Sequence, residues 1–379
     1  MKFKKILKTT INKLQPVEFN PRKNSLNVLR LVLAGSIIVT HAYVLGGYSS
    51  EPVWGITTIA GWALTVFFCV GGYLIMSSRL HNGLIEYLGK RIARIVPAYV
   101  VCMLLIVLFF APLAHFINTG SLQGYLSTAP TPIDFILNNI NLGMRVNQWS
   151  IGSTLVDTPV MGVWNGPIYV LYYELTCYLI VGLLAAWTVF RKPKAIGILW
   201  LVTSLISLHI DKLVEFASPD PFTGHNLLVL MLRFVPLFLG GALAYLLKDS
   251  LFKKLKISGV LLSIIVIIFI NMVPGFAEYN IGIIAPFVTY VVLWFSSAIS
   301  FGKLDELTLK HDISYGVFIY GWVIQQIIMV FVVNDLVDKP PMWLYILITF
   351  IGTIILATLS WLFVEKPILT KVKRSTITK

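Results

Sequence analysis

Arg30 and His41 are the two residues whose types and spacing point most directly to chemistry. They lie eleven positions apart in the apolar segment LNVLRLVLAGSIIVTHAYVLGGY, and no other charged residue separates them. In an α-helix that step returns to within about 20° of the same face and advances roughly 16 Å along the axis. A guanidinium binds anions, and an imidazole, which titrates near neutral pH, serves as a general base. The spacing therefore predicts a cation at one membrane face and a base deeper in the membrane, both facing one interior.

The elements that must position this pair are membrane-spanning helices. The chain is 57% hydrophobic and 12% charged, with a mean hydropathy of +0.82, which is outside the usual composition of soluble domains. An apolar helix of about 20 residues crosses a bilayer. The sequence thus predicts an all-α polytopic membrane protein, with about ten transmembrane helices around a central polar pore. The predicted spans, of which the fifth and seventh are short, are 26–46, 53–77, 95–115, 166–190, 195–210, 226–247, 257–273, 281–299, 313–333 and 342–364.

The net charge of +13 is explained by topology. When ten spans are threaded from a cytoplasmic N-terminus, nearly all of the 30 Lys and Arg residues fall on the cytoplasmic side, and the exceptions are Arg145, Lys212, Arg233 and Lys339. Such an excess of basic residues marks the cytoplasmic side of a membrane protein, so both termini are predicted to be cytoplasmic. The basic composition therefore indicates a lipid bilayer as the partner surface and excludes nucleic acid as the expected partner.

The sequence divides into one membrane domain and two basic ends. The membrane domain is predicted over residues 26–365, between an N-terminal segment at 1–25 and a cytoplasmic tail at 366–379. Within the first of these ends, residues 2–14 are either a helix lying on the inner leaflet or a disordered tail. The long connection at about 116–165 is external by the same threading, and it is either a lid or acceptor-binding surface, or a passive surface loop.

Three ionisable residues are predicted at a shared depth in the outer half of the membrane. His41, Glu174 and Arg233 lie roughly 8, 12 and 10 Å from the external ends of their helices. Because exposure to lipid would cost each of them a few kcal/mol, they should face a polar cavity or pair with one another. A carboxylate beside an imidazole orients the ring and stabilises its protonated form, which predicts Glu174 as the partner of His41. The alternative is a buried ion pair that only holds helices together.

A second basic cluster, Lys90-Arg91-Ile92-Ala93-Arg94, lies at the predicted inner start of the third span. Arg91 and Arg94 are three positions apart and therefore share one helical face. Guanidinium groups bind phosphates through paired hydrogen bonds. Because Arg30 enters the membrane at the same level, the three arginines predict a site for a polyanionic cytoplasmic molecule. The alternative is that these arginines only anchor the helix at the membrane face.

Six further segments, in order along nearly the whole chain, resemble those of the acyltransferase family 3 membrane proteins. The spacing of Arg30 and His41 and that of Arg91 and Arg94 are also similar to that family's pattern. The segments are NVLR at 27–30, FFCVGGYLIMS at 67–77, RIVPAY at 94–99, NGPIYVLYYE at 165–174, ISYGVFIY at 313–320 and WLFVEKP at 361–367. The chain departs from the pattern at four positions that bear on acceptor fit or subfamily, namely Gly71, Pro167, Tyr169 and Gly321.

The resemblance implies a bacterial multi-pass protein of the cytoplasmic (inner) membrane that O-acylates a cell-surface or exported glycan. The implied donor is a cytoplasmic acyl-CoA, with acetyl-CoA favoured, and the acceptor is a hydroxyl of a glycan or lipid-linked saccharide. We expect the donor to act as a co-substrate without a tightly bound cofactor. The three cysteines fall inside predicted spans without metal-ligand spacing, so no metal site is expected. We also expect no fused extracellular domain.

The same resemblance assigns roles to individual residues. Arg30, Arg91 and Arg94 would bind the phosphates of acyl-CoA, while His41 with Glu174 would transfer the acyl group directly or through an acyl-enzyme. From its depth in the membrane alone, Arg233 is expected to bind the acceptor or to stabilise the oxyanion. The further acceptor-binding or pore-lining candidates are Tyr173, Asn165, Tyr320 and Gln325. The alternative function is a transporter, flippase or export subunit for a polysaccharide precursor, which would also need a polar cavity. The sequence shows neither the internal repeat nor the paired broken helices typical of such transporters.

Overall fold

The computed structural model describes residues 16–140, 142, 148–209, 227–276 and 280–377. The interfacial helix considered for residues 2–14, together with Arg145 and Lys212, lies outside the described residues. Most of the described chain is helical. Its small sheet is an antiparallel hairpin of β1 (Val53–Trp54) and β2 (Thr57–Thr58), placed between the first two long helices.

The helices of the described residues are numbered here in chain order. The α-helices are α1 Leu26–Leu45, α2 Ile59–His81, α3 Leu84–Leu105, α4 Ala111–Thr119, α5 Pro132–Asn139, α6 Val170–Leu184, α7 Pro193–Ser207, α8 Leu227–Leu246, α9 Ile257–Met272, α10 Ala285–Ala298, α11 Lys303–Lys310, α12 Ser314–Val333, α13 Met342–Ser360 and α14 Lys366–Ile377. Short 3₁₀ helices occupy Gly166–Tyr169, Thr188–Arg191 and Ile281–Ile284, and π-helical turns occupy Ile106–Phe110 and Trp361–Glu365.

The predicted all-α polytopic architecture is confirmed. Within the described residues, eight continuous helices are long and apolar enough to cross a bilayer, and two shorter apolar helices, α7 and α9, occupy the two predicted short spans. The long helices are Leu26–Leu45, Ile59–His81, Leu84–Thr119, Gly166–Leu184, Val229–Leu246, Ile281–Ala298, Ser314–Val333 and Met342–Val372. The cytoplasmic location of both termini stays a prediction.

The third span begins earlier than the sequence predicts. Its helix starts at Leu84 rather than at residue 95, so the basic cluster lies inside the helix and not at its start. Lys and Arg are good helix formers whose apolar stems cover a bundle surface, so they extend the helix beyond its apolar part. The buried Tyr87 fixes this first part of α3 to α6, because its hydroxyl donates to the carbonyl of Tyr178 at 2.8 Å.

The bundle is most tightly packed where α2 crosses α8. A Cβ placed on Gly72 would lie 1.9 Å from the carbonyl oxygen of Phe238, and one on Gly241 would lie 1.9 Å from the carbonyl oxygen of Cys69. Small residues at such positions let the backbones of membrane helices approach closely. One helical turn away, the rings of Phe68 and Phe234 stack with centroids 4.2 Å apart. This crossing holds α2, which forms one wall of the interior, against the centre of the bundle.

The long connection folds against the end of the bundle instead of standing apart from it. Trp164 is fully buried, and its indole nitrogen donates to Thr154 Oγ1 at 2.9 Å. Two residues of α12 reach up to the same segment: Trp322 Nε1 donates to the carbonyl of Val163 at 2.9 Å, and Gln326 Nε2 donates to that carbonyl at 2.8 Å. These bonds set the point at which the chain enters α6.

The crossing of α2 and α8 predicts a difference between two glycines. Gly72→Ala should lower the free energy of unfolding by about 1–3 kcal/mol, because the added methyl has no room beside the Phe238 carbonyl. Gly89→Ala is the matched control, since Gly89 is also helical, is exposed and has nothing within 4 Å of a Cβ. Thermal unfolding of the detergent-solubilised variants, followed by size-exclusion chromatography, measures both. Equal midpoints for the two variants would contradict the assigned contact.

Candidate active site

The three arginines predicted to form an anion site meet at one cavity. The wide cavity, of about 1230 Å³ including its opening, is lined by side chains from α1, α2, α3, α6, α12 and α14. Its charged and polar lining includes Arg30, Lys90, Arg91, Arg94, Glu174 and Tyr178. The structure therefore brings Arg30, Arg91 and Arg94 together, and their binding of a donor stays a prediction.

Asp312, just before α12, joins two of these arginines through one oxygen atom. Arg30 Nη1 donates to Asp312 Oδ2 at 2.9 Å, and Arg94 Nη2 donates to the same oxygen at 2.7 Å. Burial alone raises the pKa of the Asp312 carboxyl, but the two arginines and hydrogen bonds from Ser314 lower it further, so that it stays well below its ordinary value. Asp312 is therefore an ionised bridge between α1 and α3. Sequence reasoning missed it because it lies outside the predicted spans.

Glu365 completes the network at the end of α13. It is buried within the π-helical turn Trp361–Glu365 and accepts a hydrogen bond from Arg94 Nη1 at 3.2 Å. Turns of this kind displace side chains from the regular helical pattern and often occur at functional sites. The sequence signal was the acidic residue of the WLFVEKP segment, which carried no assigned role.

Arg91 differs from the other two arginines. Among the described residues it has no carboxylate partner, and its buried Nε has no hydrogen-bond partner. Lys90, the adjacent cation, is already paired with Glu86 Oε1 at 2.6 Å. A partly buried guanidinium whose Nε lacks a hydrogen-bond partner favours an anionic ligand. Of the three arginines, Arg91 is therefore the one most available to an incoming phosphate.

Glu174 lies in the arginine cavity and not beside His41, so the predicted pairing of these two residues was wrong. It lines the wide cavity together with Arg30, and its carboxylate accepts a hydrogen bond from Tyr178. The prediction assumed that the helix carrying Glu174 begins at the membrane surface, above the level of His41. Gly166, where the helix begins, packs against Trp322, which contacts His41. Eight residues further, about 12 Å along the axis, Glu174 reaches the level of Arg30.

The carboxylate beside His41 belongs to Glu51 instead. His41 Nδ1 lies 2.7 Å from Glu51 Oε1, and both side chains are partly exposed. The ring of Trp322 meets the imidazole edge-on, with centroids 5.0 Å apart. A carboxylate on Nδ1 fixes the tautomer with the proton on that atom and leaves Nε2 as the basic nitrogen. Glu51 was missed because it lies in the connection before β1, ten positions after His41, where no helical spacing points to it.

A narrow cavity leads from the arginines toward His41. It has a volume of about 550 Å³ including its opening, shares Arg30, Phe67, Gly71, Glu174 and Tyr315 with the wide cavity, and continues between apolar side chains: Leu64, Phe68, Val170, Leu171, Phe238 and Phe318. Phe318 lies one helical turn, or about 6 Å, inward of Trp322 on α12. The lining of the narrow cavity therefore extends from Arg30 to within about one helical turn of Trp322, the residue that contacts His41.

The remaining predicted residues lie outside both cavities. Arg233 is buried on α8 with its guanidinium carbon 5.0 Å from the centroid of the Phe234 ring, and Tyr173 packs against the same ring. Asn165 Nδ2 donates to the carbonyl of Ile319 at 2.8 Å, and Gln325 Nε2 donates to that of Ile38 at 2.9 Å.

Tyr320 is buried on α12, with its hydroxyl directed at Ser360 of α13. The hydrogen bonds that Asn165 and Gln325 donate to backbone carbonyls give these two residues structural roles between helices. Any contact of Tyr320, Tyr173 or Arg233 with an acceptor stays a prediction.

Comparison with known proteins defines the class. A family described as acyltransferase domain matches residues 23–364, which is nearly the whole chain. The protein belongs to this acyltransferase family, and the resemblance seen in the sequence is confirmed. The chain is similar to the O-acetyl transferase of Shigella phage Sf6, with 29% identity over 357 residues, which cover 92% of this chain and 97% of the relative. No solved structure matches.

The contact between His41 and Glu51 predicts the effect of a conservative change. Glu51→Gln should lower the turnover of acyl transfer at least about 100-fold, because an amide neither holds the tautomer as firmly nor stabilises an imidazolium. The affinity for the acyl donor should stay within a factor of about two, since Glu51 lines neither cavity. Steady-state kinetics of the purified variant measure both quantities.

Asp157→Asn is the control for this change, because Asp157 is an exposed carboxylate on the long connection, which is predicted on the same side. It should behave as the unchanged protein. Full turnover by Glu51→Gln would show that the carboxylate has no part in the reaction.

Proposed function

We propose that this acyltransferase moves an acetyl group from cytoplasmic acetyl-CoA to a hydroxyl of a cell-surface or exported glycan, in the bacterial inner membrane. One observation carries the proposal: the arginine-lined wide cavity continues as a narrow apolar cavity toward a histidine–carboxylate pair. The name of the similar phage protein, an O-acetyl transferase, supports acetyl as the group that is moved. The resemblance of the motifs supports a glycan as the acceptor.

The wide cavity fits the phosphate-bearing end of the donor. Arg91 offers unused donors to a phosphate, while Arg30 and Arg94 are held in place by Asp312 and Glu365. Guanidinium groups bind phosphate oxygens with charge-assisted, often paired hydrogen bonds. In this proposal Arg91 makes the first contact, and the two paired arginines add positive potential without having to move.

The narrow cavity fits the thioester arm of the donor. Its walls are largely apolar and aromatic, which suits a thin, mostly uncharged chain. The arm would pass between Arg30 and Glu174 and rise along the roughly 16 Å that separates Arg30 from His41. The thioester carbonyl would then arrive within one helical turn of the imidazole, beneath Trp322.

The pair of His41 and Glu51 supplies the base. With the Nδ1 proton donated to Glu51, Nε2 accepts the proton of the acceptor hydroxyl. The hydroxyl oxygen attacks the thioester carbon, the carbon–sulfur bond breaks, and the proton held on Nε2 passes to the leaving thiolate. Glu51 stabilises the imidazolium between these two proton transfers. In the second route, Nε2 attacks the thioester carbon and CoA leaves as the thiolate; the acceptor hydroxyl then takes the acetyl group from Nε2, and its proton passes to the thiolate.

The experiment that tests the function separates donor binding from transfer. The protein and its variants are reconstituted in proteoliposomes with radiolabelled acetyl-CoA and membranes that carry the bacterial surface glycan. His41→Ala should abolish transfer to the glycan while acetyl-CoA binding stays unchanged. Arg91→Ala should weaken acetyl-CoA binding about 10-fold or more, which corresponds to the loss of one charge-assisted phosphate contact.

Lys192→Ala, which removes an exposed cation outside both cavities, is the control for a general effect of charge and should change neither quantity. Transfer by His41→Ala would show that the base lies elsewhere. A protein that exported the glycan without binding acetyl-CoA would instead be the transporter of the alternative function.

A substitution at Gly71 tests the path that the thioester arm takes through the narrow cavity. It lines both cavities, and a Cβ there would lie 3.1 Å from the ring of Phe238, so the passage is narrow at this point. Gly71→Leu should lower the turnover with acetyl-CoA at least about 10-fold, because a 1 Å displacement of reacting groups costs up to about 100-fold. Gly89→Leu, on the open surface of α3, should have no effect on turnover.

A measurement of folding by size-exclusion chromatography accompanies both Gly71→Leu and Gly89→Leu. A folded Gly71→Leu protein with unchanged turnover would show that the arm takes another path.

A further inference from the structure

The C-terminal helix α14 has two different faces. Leu369 and Val372 line the wide cavity. Lys366, Pro367, Thr370 and Lys371, together with Leu362 of the preceding turn, line a separate groove on the surface. Because an α-helix turns 100° per residue, Leu369 and Val372 lie on the side of α14 opposite to the groove-lining residues of that helix. α14 therefore separates the proposed donor site from the surface of the protein.

The length of the last helix places this groove at the level of lipid headgroups. The continuous helix Met342–Val372 contains 31 residues and is therefore about 46 Å long, whereas the hydrocarbon core is about 30 Å thick. Two prolines and the charged Asp338 and Lys339 precede the helix, so the hydrocarbon core begins near Met342. About 20 residues later the helix leaves the core near Trp361. Lys366 and Lys371 then lie in or just beyond the headgroup layer.

The side chains of the groove fit a phospholipid better than a free anion. Within the described residues neither lysine forms an ion pair with a carboxylate, and the nearby Glu365 is occupied by Arg94. Leu362 borders the lysines on the membrane side, and its neighbour Phe363 is 75% exposed at the end of the span. Cations next to exposed apolar side chains offer one contact to a phosphate and another to acyl chains.

We propose that the lysine face of α14, formed by Lys366 and Lys371, binds the phosphate of an anionic phospholipid in the adjacent leaflet. The bound lipid holds α14 against the opening of the wide cavity and so strengthens donor binding. The lipid contact stands by itself, whereas its effect on the donor rests on the function proposed above.

The lipid contact is tested directly in nanodiscs with the full-length protein. Spin-labelled phosphatidylglycerol should be immobilised more strongly than spin-labelled phosphatidylcholine. The double variant Lys366→Gln, Lys371→Gln should lose this preference, with affinity falling about fivefold for each lysine removed. Lys303→Gln, Lys310→Gln is the matched control, because it removes two exposed lysines of α11 on the same predicted side. An unchanged preference in the first variant, or an equal loss in the control, would overturn the proposal.

The effect on the donor is measured by kinetics in the same nanodiscs. Phosphatidylglycerol should lower the KM for acetyl-CoA about fivefold relative to phosphatidylcholine alone, with kcat unchanged, and the double variant should show the higher KM in both lipids. Inorganic phosphate added to phosphatidylcholine nanodiscs should not reproduce the change; if it did, the ligand would be a free anion and not a lipid.

Two outcomes separate this inference from the proposed function. An equal KM in both lipids would overturn the coupling and leave the proposed function standing. A complete lack of acetyl-CoA binding in either lipid would overturn the proposed function and the coupling together, while the spin-label measurement would still decide the lipid contact.

Discussion

The carboxylate of Asp312 determines how the helices of the interior align. It accepts hydrogen bonds from Arg30 on α1 and Arg94 on α3, and it immediately precedes α12. Ten residues beyond Asp312, Trp322 contacts His41, which lies eleven residues beyond Arg30. The two contacts are eleven residues apart along α1 and ten residues apart from Asp312 into α12. They therefore hold these two helices side by side in one register. Because the side chains of Arg30 and Asp312 are only 25% and 16% exposed, removing either one leaves a poorly solvated charge, so this register is preferred.

The same bridge also sets the charge of the wide cavity. Two of its three arginines are already paired with carboxylates, so the cavity carries far less free positive charge than its arginine count suggests. In the proposed reaction, acetyl-CoA and the product CoA carry the same phosphates. Contacts to those phosphates stabilise substrate and product equally and do not accelerate the transfer. A moderate attraction for the phosphates, supplied mainly by Arg91, lets the product CoA dissociate after the thioester has reacted.

The sequence allowed the fold and half of the site to be predicted, for identifiable reasons. Helical periodicity related Arg30 to His41 and Arg91 to Arg94, and the exclusion of charges from lipid placed Arg30 at the level of the other two arginines. The partners of these residues did not follow. Asp312 and Glu51 lie in connections, where no periodicity relates them to a helix face, and Glu365 lies in a π-helical turn that shifts the helical pattern.

The position of Glu174 could not be predicted because the long connection packs against α12, so that the helix of Glu174 begins at the level of Trp322 and His41.

The two halves of the site differ in how they are assembled. The arginine cavity needs side chains from helices spread over more than 300 positions of the sequence, so a change in any one of them disturbs the others. The pair of His41 and Glu51 is local, because the two residues are ten positions apart in the sequence. The hairpin that follows Glu51 lines neither cavity. Under the proposed function, natural changes around the pair of His41 and Glu51 would alter which acceptor is recognised, while the arginine cavity would continue to bind the same donor.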